Sequence, residues 1–358
     1  MRTLRVTPGT PLPRGVDGAV TVRDLVVGGE RWPKGRRLSA IDAERLADPS
    51  VAVDAGARAR PGAPGTITLL VLERGDVHED DAAVRLAAAV AGPGTRLRGP
   101  AESRVDLVAD ASGVLRVRIR AVERLDAIDP LEVFTLYDGQ TVAEGDLVAC
   151  AKIGPHVVAE SVLARGVEVA SRLGPLVRVA PFLRRRVAVV VKESVRAMAR
   201  ARFEATIRDK VETLGSVVTD IAYVADEPDA VEAALRARVR GRGRADIVLT
   251  AGAASTDPTD PFFVAIDRLG GRVVRRGVPA HPGSMVWLAR VGRSDLLGLP
   301  TCGAYSRATA ADLLLPRLLT GERASAAMAA SLGHGGVLTR AMRFRFPPYA
   351  RDLEAPEP

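Results

Sequence analysis

The chain has 358 residues, of which 47% are hydrophobic, and this is enough for two domains with buried cores and excludes an intrinsically disordered protein. The formal net charge of +8 suits an anionic partner. The arginines, however, are spread among acidic residues and are not interleaved with aromatic side chains, which disfavours a nucleic-acid-binding protein.

No run of apolar residues is long enough to cross a bilayer, and the N-terminus lacks the apolar segment of a signal peptide. The two cysteines, Cys150 and Cys302, lie far apart in the sequence and indicate no disulfide framework. We therefore predict a cytoplasmic protein that does not enter a membrane.

The first half of the chain has the sequence pattern of a β-rich region. Residues 1–18 contain several prolines and glycines and are predicted to form a flexible arm. Residues 19–175 contain short apolar runs between turn signals, which is typical of strands. Two helices, at residues 80–90 and 158–173, interrupt this pattern, and Gly174-Pro175 follows as the predicted linker.

From residue 176 to 322 strands and helices alternate, which predicts an α/β domain with a parallel sheet between two layers of helices. The run at 187–191 is continuously apolar, as in a strand that is buried on both faces. The further predicted elements are helices at 195–214, 228–239, 261–269 and 304–319 and strands at 217–224, 246–250, 272–275, 285–290 and 295–297. Residues 323–358 are predicted to be a C-terminal extension.

Three loops of this domain are rich in small and polar residues, and they are 252–260, 281–284 and 298–303. Ligands of open α/β sheets bind at the carboxyl ends of the strands, so these loops predict one composite pocket. Gly252 lets a ligand approach the backbone without meeting a Cβ atom. The hydroxyl groups of Ser255 and Thr256 can form hydrogen bonds with a phosphate or a pterin edge.

These loops resemble the molybdopterin-binding domain of molybdopterin molybdenumtransferases and related cofactor-biosynthesis proteins. Gly252-Ala253-Ala254-Ser255, with Asp260 as its acidic end, matches the first motif of that family. Pro282-Gly283 matches its second turn, and Gly298-Leu299-Pro300 matches its third. The resemblance implies that the pterin contacts Gly252, Ala253, Ser255, Thr256, Pro282, Gly283, Ser284, Gly298, Pro300, Thr301 and Cys302.

Asp260 has two interpretations. Its place before Pro261 and a helical pattern predicts an N-cap. The resemblance implies instead a catalytic acid that helps to hold a metal ion or molybdate at the pocket. Cys302 likewise reads either as a small residue in a tight turn or as a thiolate activated by the following helix.

Departures from the family pattern favour one of two functions. Lys192-Glu193-Ser194 stands where molybdenumtransferases have a Thr-Gly-Asp-Glu or Ser-Gly-Asp-Glu turn, and Ala253 replaces a glycine. We therefore predict a protein that binds molybdopterin or molybdenum cofactor in its biosynthesis or delivery, with degenerate catalytic motifs. The alternative is an active molybdopterin molybdenumtransferase, which inserts molybdate into adenylylated molybdopterin with Mg²⁺.

The resemblance also implies partners. Stretches similar to 73–80 and 178–182 occur in a subgroup of the family that is sometimes fused to a cytidylyltransferase. A cytidylyltransferase and molybdoenzyme clients are therefore the expected protein partners, and a homo-oligomer is compatible with the sequence.

Overall fold

The computed structural model describes residues 1–54, 65–192, 197–253, 255–299 and 308–351. By its internal contacts the chain divides into two compact units. The first comprises Met1–Val108, Val117–Leu136 and Leu147–Arg178, and the second comprises Ala109–Arg116, Tyr137–Asp146 and Val179–Pro358. Two short segments of the predicted β-rich region thus belong to the second unit.

The first unit is built from short antiparallel strands with helices among them. Its strands are β1 (Arg2–Val6), β2 (Val20–Thr21), β3 (Leu25–Val27), β4 (Glu30–Trp32), β5 (Val53–Asp54), β6 (Ile67–Val71), β7 (Asp76–His78), β8 (Thr95–Ala101), β9 (Arg104–Ala109), β11 (Leu131–Thr135), β13 (Leu147–Ile153) and β14 (Val157–Ala159). They form sheets in the orders β1-β6-β2, β4-β3-β5, β11-β13-β9-β8 and β14-β7. Its helices are α1 (Ala40–Ala47), α2 (Glu79–Val90), α3 (Ile119–Asp126) and α4 (Glu160–Leu173). The predicted strand-rich character of this region is confirmed.

Cys150 lies in β13 directly opposite Asp106 of β9 and donates a hydrogen bond to its carboxylate, with 3.4 Å between Sγ and Oδ1. Burial, and next the hydrogen bond and charge of Asp106, raise the pKa of the Cys150 thiol to about 11. Because the neutral thiol is favoured in the folded protein, this group stabilises the fold below its ordinary pKa near 9. That stabilisation is lost as the pH rises from about 9 to about 11.

We expect the Cys150 thiol to react slowly with a thiol reagent at pH 8, because the thiolate is the reactive form. With its pKa raised by about two units, the thiolate fraction falls roughly a hundredfold. The measurement is the labelling rate of Cys302→Ser, in which Cys150 is the remaining cysteine, with and without denaturant. Rapid labelling of the native protein would contradict the expectation.

The second unit contains the α/β domain. Its strands are β10 (Gly113–Val117), β12 (Thr141–Val142), β15 (Val177–Pro181), β16 (Arg186–Val191), β17 (Val217–Tyr223), β18 (Ile247–Ala251), β19 (Arg272–Arg276), β20 (Trp287–Val291) and β21 (Ser294–Leu299). Its helices are α5 (Ala197–Glu212), α6 (Pro228–Val239), α7 (Pro261–Arg268), α8 (Ala311–Leu319), α9 (Ala326–Ala330), a 3-10 helix (Arg340–Arg345) and α10 (Pro348–Arg351). The small strands pair in the order β12-β10-β15.

The main sheet has the order β17-β16-β18-β21-β20-β19. The first four of these strands are parallel, as predicted. β20 and β19 run antiparallel to their neighbours, so the sheet is mixed. The reason is local: two residues, Gly292 and Arg293, join β20 to β21, and such a short turn connects only antiparallel strands.

Both faces of this sheet are covered by helices. Val187, Val189 and Val191 of β16 share one core with side chains of α5 and α8. Ala188 and Val190 share the other core with side chains of α6 and α7. Successive residues of a strand point to opposite faces, so the continuous apolar run of β16 serves both cores. The predicted three-layer α/β/α architecture is confirmed.

The C-terminal extension contributes to the first of these cores. Met328, Leu332, Phe346 and Ala350 are buried and belong to the same cluster as Phe203 of α5. The domain boundary at residue 322 stays a prediction. These four side chains follow residue 322 in the sequence and stabilise the second unit. Within the described ranges no helix has the length and apolarity to span a membrane.

Candidate functional site

The carboxyl ends of three parallel strands meet at one edge of the main sheet. Val191 of β16 lies opposite Ala251 of β18, and Ala251 lies opposite Leu299 of β21. Lys192 directly follows β16, and its N–H donates to the carbonyl of Ala251, with 3.1 Å between N and O. The first predicted loop therefore begins beside Lys192.

The first loop combines an unusual backbone conformation with a buried hydroxyl. The backbone φ of Gly252 is +96°, a conformation that glycine adopts more readily than other residues. Ser255 is buried, and its Oγ lies 3.5 Å from Sδ of Met285 in the region of the second loop. Ala253 is half-buried and Thr256 is exposed. The structure thus brings Gly252, Ser255 and the second loop together.

The end of the first loop is an Asx turn. The Asp257 carboxylate accepts the N–H of Thr259 at 2.8 Å and its hydroxyl at 2.7 Å. The hydroxyl bond, and next the N–H bond, lower the pKa of the Asp257 carboxyl. This geometry gives Asp257 the local structural role that short polar side chains often have in turns.

The second loop packs against the start of α8. Gly283 has a φ of +105°, and a Cβ atom there would lie 2.6 Å from the backbone N of Ala310 and 3.0 Å from Cβ of Thr309. The N–H of Ala310 donates to the carbonyl of Pro282 at 2.9 Å. Ser284 is exposed at the tip of this turn. Pro282 and Gly283 therefore hold the second loop against Thr309 and Ala310, which follow the third loop in the sequence.

The third predicted loop is described in part. Gly298 lies within β21, opposite Trp287 of β20, and a Cβ atom there would overlap the indole ring. The lack of a side chain at Gly298 thus makes room for Trp287, and its contact with a pterin stays a prediction. Pro300, Thr301 and Cys302 lie outside the described residues.

Asp260 is almost fully buried, at 1% exposure, and both of its carboxylate oxygens have partners. Oδ1 accepts the N–H of Phe262 at 2.9 Å, which makes Asp260 the N-cap of α7. Oδ2 lies 2.9 Å from Nζ of Lys192. The cap predicted from the sequence is present, and the ion pair with Lys192 is an additional interaction that the sequence did not reveal.

Lys192 is the buried cation of this site. Its side chain is 5% exposed, and Nζ contacts Asp226 Oδ1 at 2.7 Å as well as Asp260. Burial acts to lower the pKa of the Lys192 ammonium group, but hydrogen bonds to Asp226 and Asp260 outweigh it and the pKa is raised. Lys192 is therefore charged at neutral pH.

These carboxylates do not fit a bound Mg²⁺ ion. Magnesium requires several oxygen ligands around it, and here the ammonium group of Lys192 lies against Oδ2 of Asp260. Among the described residues no group of three histidine, cysteine or acidic side chains could hold a metal ion. The metal-binding and catalytic roles of Asp260 stay a prediction, and its neighbours favour the structural role.

A second buried ion pair joins α5 to α8. Lys210 of α5 contacts the carboxylate of Asp312 in α8, and both side chains are at most 3% exposed. Asp312 also accepts the N–H of Thr309 at 2.9 Å. Sequence reasoning missed this pair, although Lys210 follows Phe203 and Ile207 at helical spacing and so lies on the buried face of α5.

Comparison with known proteins finds a family match within the second unit. A family model described as a probable molybdopterin binding domain matches residues 187–320. No curated protein matches the chain. Similar solved structures include the molybdopterin biosynthesis moea protein from Pyrococcus horikosii, which is 15% identical, with 69% of this chain and 81% of that chain covered and a TM-score of 0.29. Another is Molybdenum cofactor biosynthesis protein B, at 18% identity, 39% and 96% coverage and a TM-score of 0.29.

The family match confirms the resemblance seen in the loops. It runs from β16 to the end of α8 and includes Lys192, Ser255, Asp260 and the Pro282-Gly283 turn. It supports an association with molybdopterin and a role in molybdenum cofactor biosynthesis. Residues 187–320 of this chain therefore match the model of a probable molybdopterin binding domain.

Proposed function

We propose that this protein binds molybdopterin or molybdenum cofactor at the carboxyl ends of β16, β18 and β21, and that it holds or delivers the cofactor without inserting molybdate itself. The observation that carries this proposal is the buried contact between Lys192 and Asp260. The expected recipients are molybdoenzyme clients, with a cytidylyltransferase as a further candidate partner.

The site offers suitable groups for a pterin that bears a phosphate. The positive φ of Gly252 directs the loop backbone past the end of β18. Ser255 supplies a buried hydroxyl that can donate or accept a hydrogen bond. The ammonium group of Lys192 has three N–H donors, of which two point to Asp226 and Asp260. Among the described residues these are its two partners, and we propose that the third donor serves an oxygen of the ligand.

The Lys192–Asp260 contact favours binding over metal-assisted catalysis. A metal ion in a transferase of this kind stabilises charge on the reacting oxygens. At Asp260 the compensating positive charge is supplied by the protein itself, and a metal ion there would have to displace a buried ammonium group. Binding of the pterin should therefore be independent of Mg²⁺.

We expect the full-length protein to bind molybdopterin equally well in Mg²⁺ and in EDTA, because Lys192 replaces the metal charge. We also expect no Mg²⁺-dependent insertion of molybdate into adenylylated molybdopterin. Binding is measured by the fluorescence of the pterin retained after gel filtration. Insertion is measured by reconstitution of an apo-molybdoenzyme, with a molybdenumtransferase as the positive control.

Two variants sharpen this test. Asp260→Asn should bind the pterin much like the parent, since an asparagine also caps a helix. Arg236→Gln with Arg240→Gln, at exposed positions in α6 and at its C-cap, should leave binding unchanged. Robust insertion by the parent, abolished in Asp260→Asn at unchanged binding, would identify the protein as an active molybdenumtransferase instead.

A further inference from the structure

A cavity of about 140 Å³ lies at the opposite edge of the main sheet, where β16, β18 and β21 begin. β18 has five residues, and at about 3.3 Å per residue it separates the two edges by roughly 17 Å. A single water molecule needs about 10–15 Å³ of such space, so a phosphate-sized ion fits easily. This cavity is therefore separate from the pterin site.

Four of the nine residues that line the cavity are arginines. The charged residues around it are Arg185, Arg244, Arg293, Arg323, Asp246 and Asp295. Four positive and two negative side chains leave an excess of two positive charges. Such a concave, cationic surface attracts anions.

Within the part of the chain that the structure describes, three of these arginines have hydrogen-bond donors without an acceptor. Nη1 of Arg185 and Nη2 of Arg244 lie 3.8 Å and 3.7 Å from Oδ1 of Asp246, which is too far for a hydrogen bond. Nε of Arg185 is buried and finds no hydrogen-bond partner in the described part of the chain. Arg293 forms no ion pair with any residue that the structure describes. Guanidinium donors without acceptors are suited to a multivalent anion.

The two carboxylates of the cavity are held by backbone groups. Oδ2 of Asp246 accepts the N–H of Arg186 at 3.0 Å, and Oδ1 of Asp295 accepts the N–H of Ala324 at 3.1 Å. Arg323 pairs with Asp295, with 3.2 Å between Nε and Oδ2, and is fixed further by a bond of 2.7 Å to the carbonyl of Arg293. The carboxylates therefore anchor the framework and consume few guanidinium donors.

Gly321 contributes to the placement of Arg185. It follows α8 with a φ of +90°, and a Cβ atom at this position would overlap Nη2 of Arg185. The guanidinium group of Arg185 thus lies directly against the backbone of the turn. This contact restricts the group to the cavity and reduces the entropy that binding an anion costs.

We propose that this cavity is a second ligand site, which binds a doubly charged tetrahedral oxyanion of the phosphate type, either free or as the end of a phosphomonoester. Arg185, Arg244 and Arg293 donate hydrogen bonds to its oxygens. The site is independent of the pterin site, since it uses none of the same residues.

The test is titration calorimetry of the full-length protein with inorganic phosphate and, separately, with glycerol phosphate. Sodium chloride keeps the ionic strength constant, because salt screens surface charges. We expect saturable binding of inorganic phosphate. Binding of glycerol phosphate as well shows that the site accepts a monoester, and binding of inorganic phosphate alone shows a site for the free ion.

Matched variants locate the binding. Arg185→Gln with Arg293→Gln should weaken phosphate binding at least about tenfold, since each charged hydrogen bond contributes about that factor. The control, Arg202→Gln with Arg208→Gln at exposed positions of α5, removes the same charge and should bind like the parent. Asp246→Asn should tighten binding, a change that partial unfolding cannot produce.

Three results would overturn the proposal. They are the absence of saturable phosphate binding in the parent, an equal loss in the two arginine pairs, and unchanged or weaker binding in folded Asp246→Asn. Failure here leaves the proposed pterin site untouched, because its residues and its assay are different.

Discussion

Replacing Gly283 with alanine is expected to abolish pterin binding and to lower the thermal midpoint markedly. The new Cβ atom would lie 2.6 Å from the backbone N of Ala310, and a backbone atom cannot move away as a flexible side chain can. The positive φ of Gly283 adds strain of about 1–3 kcal/mol, and the overpacking adds a similar amount. The turn should therefore leave the start of α8.

Gly270→Ala is the matched control. Gly270 also has a positive φ, of +70°, but a Cβ atom there meets nothing within 4 Å. It should show the strain alone and bind the pterin like the parent. Both variants are compared by thermal unfolding and by retention of fluorescent pterin. Similar losses in the two would mean that the close contact between Gly283 and Ala310 has no part in the site.

Lys210→Met is expected to destabilise the protein by about 3–5 kcal/mol, because it leaves the buried carboxylate of Asp312 without its cation. Nζ of Lys210 also lies 5.3 Å from the ring centre of Tyr349, so the substitution removes a second favourable contact. Asp312 accepts the N–H of Thr309, next to the second loop. We therefore expect weaker pterin binding as well, and denaturant unfolding measures the stability.

The control for this variant removes both charges. In Lys210→Met with Asp312→Asn the amide oxygen can still accept the N–H of Thr309, and no buried charge remains, so most of the lost stability should return. Arg208→Met, which removes an exposed partner of Glu212, should cost less than about 1 kcal/mol. A double variant as unstable as Lys210→Met would show that the ion pair is not the cause.

The two buried lysines have different consequences for the site. Lys192 places a permanent positive charge where the ligand is proposed to bind. Lys210 acts indirectly. It pairs with Asp312, which accepts the N–H of Thr309, and so it orients the residues against which Gly283 packs. A change at Lys192 should alter the affinity for the phosphate of the pterin, whereas a change at Lys210 should alter stability and binding together.

The sequence by itself determined the features that depend on local pattern. The apolar run of β16 predicted a strand buried on both faces, because the hydrophobicity of each residue indicates whether that residue is buried. Asp260 before Pro261 predicted the start of α7, because capping involves residues two positions apart. The motifs around Ser255 and Pro282-Gly283 predicted the family, since short loops keep recognisable residues.

The tertiary structure alone decided the features that join distant residues. The pairing of Gly298 with Trp287 depends on the register of two strands. The contact of Lys192 with Asp260 depends on β16 and β18 lying side by side. Arg185 and Arg293 likewise meet at one cavity only because β16 and β21 begin at the same edge. The periodicity of the sequence indicates which residues are buried, but not which distant residue each of them contacts. The charge at both sites depends on those contacts.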